Sequence, residues 1–250
     1  SVNQTRLNVV GNNIANVNTA GFKKSRLEFQ DLLYEQLRRA GSVDSLGQQL
    51  PLGLEVGHGV KPVASQKIFS TGEIQITNNS LDLMVAGDGF FQISMPDGSL
   101  RYTKDGSFKM DGTGRIVTDD GHPLEPPVVI PSEATGIVVR SNGQVEITLP
   151  QGQGNEVVGQ IQLAKVMNPA GLQSESHNMY SVTEATGDLT VGTPGLEGFG
   201  EVTQGAIENS NVKVIEEMVN LITTQRAYEF NTKAIQASDN MLSQANNLYR

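Results

Sequence analysis

The sequence predicts an α + β fold, in which long N- and C-terminal helices flank an all-β, antiparallel middle domain. Three patterns predict it. An apolar residue recurs at every seventh position near the C-terminus, helical spacing also marks the N-terminus, and the residues between them alternate with a period of two. A strict seven-residue repeat keeps one apolar seam on one side of a helix, where a second helix can pack against it.

The C-terminal helix is predicted from Val212 to Arg250, because no glycine or proline follows Gly205. At 1.5 Å per residue it would be about 58 Å long, which exceeds the helices of most compact domains. Its seam consists of Val214, Leu221, Tyr228, Ile235, Leu242 and Tyr249. A second row adds Ala227, Ala234, Met241 and Leu248. Such a helix cannot bury its seam alone, so the repeat indicates assembly before it indicates chemistry.

The N-terminal helix is predicted from an apolar face at helical spacing, formed by Leu7, Val10, Ile14 and Val17. It should stop at Asn18-Thr19-Ala20-Gly21, since glycine suits the left-handed geometry that ends helices. The pattern is already running near Ser1, so we expect further helix to precede it. The two terminal helices are expected to pair as a coiled coil.

Short β-rich runs alternate with turn residues from about Gly53 to Gly205, which predicts an antiparallel sandwich or barrel-like domain. Asn142-Gly143 between two alternating runs is the strongest hairpin signal. Strands are predicted at 60–69, 81–86, 90–95, 100–103, 115–118, 137–140, 144–149, 157–167 and 179–183. Loops are predicted at 152–154 and 192–200, and residues 38–59 are expected to form an extended or loosely ordered connection.

Together these elements predict three regions. Residues 1–30 and 208–250 would form one discontinuous helical coiled-coil domain, residues 31–71 an extended connection with the first strands, and residues 72–207 a β-rich domain.

Composition narrows the possible functions. The chain contains no cysteine, which excludes disulfides and thiolate chemistry. Its net charge of −9 opposes nonspecific binding to nucleic acid or to anionic membranes. The chain contains no run of eighteen apolar residues, which is about the length that a membrane-spanning helix needs, so no membrane insertion is expected. The one basic cluster, Lys23, Lys24 and Arg26, is interpreted as a solvated helix flank.

The sequence offers no positive sign of catalysis, of a cofactor or of a metal site. Paired carboxylates could hydrolyse glycans, but the candidate carboxylates are followed by glycine in the pattern typical of tight turns. These are Asp97, Asp105, Asp111, Asp119 and Asp120. The Gly87-Asp88-Gly89 stretch precedes a strand rather than a helix, which favours a turn or bulge over a phosphate loop. The three histidines, His58, His122 and His177, lie in separate predicted loops.

Two terminal motifs resemble a known family. Residues 12–23, Asn-Asn-Ile-Ala-Asn-Val-Asn-Thr-Ala-Gly-Phe-Lys, closely resemble the N-terminal signature of bacterial flagellar rod and hook proteins. Ser210-Asn211-Val212, residues 216–222 and residues 225–229 resemble the matching C-terminal signature. Residues 87–92, 96–98, 102–103 and 105–108 resemble the β domain of the same family, so the similarity spans nearly the whole chain.

The resemblance implies a structural subunit that self-assembles helically into a hollow driveshaft. Length and the region 50–63 look most like the branch of the family that forms the distal rod, with a proximal rod or hook subunit as the alternative. Implied partners are copies of the chain itself, the proximal rod proteins, the hook protein and the surrounding P- and L-ring proteins. The implied location is the flagellar basal body, from periplasm to outer membrane, reached through the flagellar export channel without a cleaved signal peptide.

The resemblance and the helical periodicity together predict an assembly interface. Its residues are Leu7, Val10, Asn13, Ile14, Asn16, Val17, Asn18, Gly21, Phe22, Val214, Met218, Leu221, Ile222, Gln225, Arg226, Ala227, Tyr228, Ile235, Leu242 and Tyr249. A rival of another class is a secreted β-rich enzyme or binding protein acting on glycans. The enzyme would need two carboxylates held away from turns, and the binding protein would have no use for long amphipathic ends.

Overall fold

The computed structural model of the protein describes residues 2–41, 51–150 and 154–248. It contains a helix near each end and antiparallel strands between them, which confirms the α + β class and the antiparallel middle. Helix α1 spans Val2–Ala15 and helix α2 spans Val214–Leu248. Neither helix is long and apolar enough to cross a membrane. Tyr249 of the predicted seam lies outside the described residues.

The chain divides into two compact units. One consists of Ser1–Asn12, Ser25–Gln66 and Ile215–Arg250, and the other of Asn13–Lys24 and Lys67–Val214. We call them the terminal unit and the central unit. The three-region division predicted from the sequence stays a prediction.

The terminal unit contains two ladders, and of their four strands only the one at Val60–Lys67 was predicted, as part of the strand at 60–69. Strand β1 (Ser25–Asp31) pairs with β4 (Val60–Lys67), and β2 (Tyr34–Arg38) pairs antiparallel with β3 (Leu54–Gly57). Helix α1 ends at Ala15, three residues before the stop predicted at Asn18–Gly21, and Ser25–Asp31, most of which lies in the region predicted to be helical, forms a strand. Leu27 and Phe29 alternate with polar neighbours, and that period of two favours a strand. Within the segment 38–59, Arg38 ends β2 and Leu54–Gly57 forms β3, which agrees with the extended alternative of the prediction; residues 42–50 lie outside the described ranges.

The central unit is built on a seven-stranded antiparallel sheet. Its strands are β7 (Phe90–Ser94), β8 (Leu100–Thr103), β11 (Leu124–Glu125), β15 (Leu163–Val166), β16 (Gln173–Ser174), β17 (Met179–Ser181) and β18 (Leu189–Gly192). Neighbouring strands follow the order β16–β17–β8–β7–β15–β18, and β11 also pairs with β7.

Smaller antiparallel sheets complete the central unit. A three-stranded sheet contains β12 (Gly136–Val139), β13 (Gln144–Thr148) and β14 (Asn155–Gln160). Three two-stranded ladders pair β5 (Ile74–Ile76) with β20 (Ala206–Glu208), β6 (Leu83–Ala86) with β19 (Glu201–Gln204), and β9 (Lys109–Met110) with β10 (Ile116–Val117). The Asn142-Gly143 hairpin is confirmed, with Gly143 at φ +80°. The single strand predicted at 157–167 was wrong, because it divides into β14 and β15.

The large sheet is buried on both faces. Successive residues of a strand point to opposite faces, so Phe91 and Phe90 of β7 enter different apolar clusters. On the Phe91 side the core includes Phe108, Ile93 and Leu163, all at most 1% exposed. On the other side Phe90 packs with Tyr180 and Phe69, whose rings meet edge to face. The central unit therefore contains two apolar cores, one on each face of this sheet.

Candidate assembly interface

The two terminal signatures meet in the central unit, at a cluster that we call the clasp: residues 21–24, 67–72 and 208–211. Gly21 has φ +68°, the left-handed geometry predicted at the end of the motif. A Cβ on Gly21 would lie 2.5 Å from the backbone nitrogen of Asp105, so no larger residue fits. The Gly21 N–H donates to the carbonyl of Glu208 at 2.7 Å. The N-terminal motif is thus fixed directly to strand β20.

A buried ion pair forms the centre of the clasp. The Lys23 ammonium donates to Glu208 Oε1 at 2.6 Å and to the carbonyl of Ser70 at 2.9 Å, and the two charged side chains are 1% and 2% exposed. The same Oε1 accepts the Gly72 N–H at 2.7 Å. Buried charges need both a counter-ion and full hydrogen bonding. Here Lys23 and Glu208 are each other's counter-ions, and the residues 70–72 supply the further hydrogen bonds.

Asn211 of the C-terminal signature extends the clasp. Its Oδ1 accepts the backbone N–H of Lys24 at 2.8 Å, and its Nδ2 donates to the carbonyl of Ile68 at 2.8 Å. One amide side chain therefore joins three chain segments, which requires both a donor and an acceptor. The two signatures are therefore joined both by a hydrogen bond between backbone groups, from Gly21 to Glu208, and by the side chain of Asn211.

Lys67 covers the outer side of the clasp. Its ammonium donates to the carbonyl of Lys23 at 3.0 Å and lies 4.4 Å from the centroid of the Phe22 ring. That distance allows a cation–π interaction. Burial lowers the pKa of Lys67. Phe22, a predicted interface residue, is buried.

The interpretation of Lys23, Lys24 and Arg26 as a solvated helix flank was wrong for Lys23, which is completely buried. Only Arg26, in β1, has a largely exposed side chain. Sequence periodicity could not reveal the ion pair, because Lys23 and Glu208 lie 185 positions apart. One feature of the sequence could have indicated it. In an alternating strand Glu208 shares a face with Ala206, and a charge on the inward face of a strand needs a partner.

The N-terminal interface residues are only partly exposed. Val10 and Asn13 are buried at 6% and 2% exposure, and Leu7 and Ile14 are half-buried. Asn16, Val17 and Asn18 follow the end of α1, so Val17 does not extend a helical face as predicted. Asn16 and Val17 are half-buried, whereas Asn18 is exposed.

Helix α2 leaves most of its seam open to solvent. Tyr228, Ile235 and Leu242 are 46%, 62% and 63% exposed, whereas Leu221 is half-buried. Other exposed members of the predicted interface are Val214, Met218, Ile222, Gln225, Arg226 and Ala227. The buried positions of α2, Glu217 and Thr224, lie on the same side as Leu221, at helical spacing. An apolar seam exposed over four turns is unusual for a helix that functions without a partner.

The β2–β3 ladder adds a second exposed apolar surface, in the terminal unit. Leu37, Leu54 and Val56 are 59%, 51% and 44% exposed, and Leu33, which directly precedes β2, is 89% exposed. A lone two-stranded ladder is only marginally stable in water unless its apolar face is covered. Both this ladder and α2 therefore present surface suited to contact with other chains.

The carboxylates singled out from the sequence form turns, as predicted. Asp97, Asp105 and Asp111 each accept the N–H and the hydroxyl hydrogen of the residue two positions ahead: Ser99, Ser107 and Thr113. Asp119 and Asp120 lie in a turn closed by the Gly121 N–H and the Thr118 carbonyl, at 2.9 Å. In the described ranges, no group of three or more His, Asp or Glu side chains is placed to hold a metal ion.

The Gly87-Asp88-Gly89 stretch is also a turn, with φ +116° at Gly87 and +130° at Gly89. The ammonium of the buried Lys104 donates to the Gly87 carbonyl at 2.7 Å and thereby holds the turn in place. Burial lowers the pKa of Lys104 to about 8. The turn interpretation of this stretch is confirmed.

Replacing Asp105 with asparagine is expected to leave stability at neutral pH unchanged or slightly higher. Burial raises the pKa of the Asp105 carboxyl, so the folded state binds the proton more tightly than the unfolded chain does. Wild-type stability therefore falls as pH rises through the pKa values of the unfolded and then the folded state. Asparagine avoids this loss and can still accept both hydrogen bonds from Ser107. Thermal unfolding should show any advantage of Asp105→Asn at pH 7 disappearing below pH 3.8, the ordinary pKa of the group. A variant that assembles normally but loses all function would instead point to a chemical role for Asp105.

Comparison with known proteins finds the same family along the chain. Three family models match: flagella basal body rod protein over residues 1–23, flagellar hook protein FlgE/F/G D1 domain over residues 84–147, and flagellar basal body rod FlgEFG protein C-terminal over residues 203–248. The first and third contain the two ends of the chain that meet in the clasp.

Full-length relatives agree with these matches. The chain is 45% identical over 246 residues to the flagellar basal-body rod protein FlgG of Buchnera aphidicola subsp. Schizaphis graminum, covering 98% of this chain and 94% of the relative. It is 44% identical over 249 residues to the FlgG of Borreliella burgdorferi, covering 99% and 94%. It is 36% identical over 252 residues to the FlgG of Bacillus subtilis, again covering 99% and 94%. With this similarity over nearly its whole length, the chain belongs to the flagellar basal-body rod protein family and is a structural subunit of the axial rod.

Proposed function

We propose that copies of this chain polymerise helically into the hollow distal rod, which transmits torque to the hook and conducts exported subunits. The observation that carries the proposal is the exposed seam of α2, where Tyr228, Ile235 and Leu242 are each close to half exposed or more. Burying such side chains contributes about 1.5–3 kcal/mol each relative to leaving them in water. A repeat of this kind supplies the same contact to every copy.

In this proposal α1 and α2 pair as a coiled coil and, with the helices of neighbouring copies, form the inner layer of the tube. The predicted interface residues from Leu7 to Phe22 and from Val214 to Tyr249 contribute directly or, where they are buried in the clasp, by fixing the chain segments next to the helices. Membership of the rod family supports assembly with other rod and hook components. The proximal rod proteins, the hook protein and the P- and L-ring proteins are the partners we propose.

The proposed location follows from the same membership. Rod proteins belong to the flagellar basal body. We propose that the assembled chain extends from the periplasm to the outer membrane, and that each copy arrives through the flagellar export channel without a cleaved signal peptide.

Electron microscopy of the concentrated full chain tests the proposal. Hollow helical tubes are the expected result, because the exposed seam of one copy supplies the surface that covers another. A chain that remains monomeric at every concentration, or that binds and cleaves glycan instead, would contradict it.

The β2–β3 ladder is proposed to determine the stiffness of the tube. Its exposed apolar side chains, Leu37, Leu54 and Val56, offer contacts between copies that would hinder the sliding needed for bending. Deleting about residues 42–58 removes β3 and leaves β2 without its partner. We expect the variant to polymerise into curved or flexible tubes while the central unit stays folded. Straight, rigid tubes from this variant in electron micrographs would refute the role of the ladder.

A further inference from the structure

Strand β5 has one open edge. Among the described residues, the tripeptide Ile74-Gln75-Ile76 pairs only with β20. The ladder continues beyond the strand: the Asn209 N–H donates to the Glu73 carbonyl at 2.8 Å, and the Thr77 N–H donates to the Gly205 carbonyl at 2.8 Å. Position 74 pairs with 208 and position 76 with 206.

The register determines which backbone groups are free. Antiparallel ladders alternate between hydrogen-bonded and non-hydrogen-bonded pairs. Since positions 73 and 77 form bonded pairs, Gln75 does too, and the N–H and C=O groups of Ile74 and Ile76 point away from β20. Glu208, opposite Ile74, agrees with this: its carbonyl faces away from β5 and accepts the Gly21 N–H.

The side chains on this edge are exposed as well. Ile74 and Ile76 are 54% and 74% exposed. Natural sheets protect open edges with charges, proline or bulges, because an unprotected edge pairs with another chain. From Ile74 to Leu81 the sequence contains none of the charges or prolines that would provide this protection.

Elsewhere the same chain does protect an edge. Strand β12 lies at the border of its sheet, and the side-chain amide of Gln204 occupies its outer side. The Val139 N–H donates to Gln204 Oε1 at 3.1 Å, and Gln204 Nε2 donates to the Ile137 carbonyl at 3.0 Å. This amide makes the two bonds that a neighbouring strand would make, which closes β12 and leaves β5 open.

We propose that the open edge of β5 receives an extended segment of a second copy of this chain by strand addition, with Ile74 and Ile76 packing against it. The net charge favours a second copy of the chain at an edge of this kind. Copies that carry −9 each repel one another, so their contacts favour segments without acidic side chains, and residues 74–81 contain none. Strand addition derives affinity from backbone bonds and specificity from alternate side chains. The inference rests on the self-assembly proposed above and identifies one contact within it.

Hydrogen exchange resolved to single amides tests the pairing in the full chain. In the monomer the Ile74 and Ile76 amides should exchange freely, whereas those of Gln75 and Thr77 should be protected by β20. In the assembled tube, Ile74 and Ile76 should slow by at least about tenfold. Tubes in which these two amides still exchange freely would overturn this inference while leaving the proposed function intact. A chain that never assembles would overturn both.

Substitution provides a second measurement. Ile76→Lys should raise the concentration needed for polymerisation by about tenfold or more, because a buried lysine without a counter-ion opposes strand addition. The melting temperature of the monomer should not change. Met167→Lys, which introduces the same charge at a side chain 84% exposed in the same unit, serves as the matched control and should assemble normally. Assembly of Ile76→Lys at the wild-type concentration would overturn the inference.

Discussion

Replacing Glu208 with glutamine is expected to destabilise the central unit by about 3–5 kcal/mol, the usual cost of removing one partner from a buried ion pair. Glutamine keeps the shape of the side chain but leaves the Lys23 ammonium buried without a counter-ion. Chemical unfolding followed by fluorescence or circular dichroism would measure the loss. The free energy of unfolding in water should fall, whereas its slope against denaturant concentration should stay the same, since the surface exposed on unfolding is unchanged.

Two further variants make this prediction specific. Combining Lys23→Met with Glu208→Leu removes both charges, so the double variant should be more stable than Glu208→Gln. Arg115→Ala removes one partner of the exposed pair with Asp111 and should cause little change, because exposed pairs contribute little. Equal losses for Glu208→Gln and Arg115→Ala would mean that the clasp is not the stabilising element inferred from its burial.

Introducing aspartate at Ile235 is expected to abolish polymerisation and motility without changing the thermal transition of the central unit. Ile235 is 62% exposed in the monomer, so the new charge meets solvent there. In the assembled tube the same charge would be buried without a partner, at a cost of several kcal/mol for every copy. Sedimentation or electron microscopy would measure assembly, and calorimetry would measure folding.

Asn240→Asp is the matched control for this experiment. It adds one negative charge about one turn further along α2, on a different side of the helix from Ile235, and should assemble. Leu221→Asp is a less selective variant, because Leu221 is already half-buried in the monomer and its substitution would disturb folding too. If Ile235→Asp formed tubes as readily as Asn240→Asp, the seam would not be the assembly surface.

Local sequence patterns correctly predicted the elements whose structure depends on residues that are close together in the sequence. The heptad repeat located α2 to within two residues of its start, and the Asn142-Gly143 turn located the β12–β13 hairpin. The turns at Asp97, Asp105 and Asp111 were predictable for the same reason, because each of these side chains accepts a hydrogen bond from the residue two positions ahead.

Features that depend on distant residues were not predictable in the same way. Nothing near Lys23 in the sequence indicates that its ammonium is buried against Glu208. The β2–β3 ladder was missed because every residue of its two strands is exposed. Neither strand therefore shows the alternation of buried apolar and exposed polar residues that marks a strand in a sequence. The open edge of β5 depends on register, which becomes visible only when β20 is placed beside it.

The sequence separation across the clasp also affects the order of folding. Lys23 and Glu208 are 185 positions apart, and contacts that close such long loops form late, because the entropy of closure must be overcome before they stabilise anything. A chain synthesised from its N-terminus presents Lys23 long before Glu208 is made. We therefore expect the segment around Gly21 to remain undocked until strand β20 is in place, so that the two signatures join as one of the final steps in the maturation of each copy.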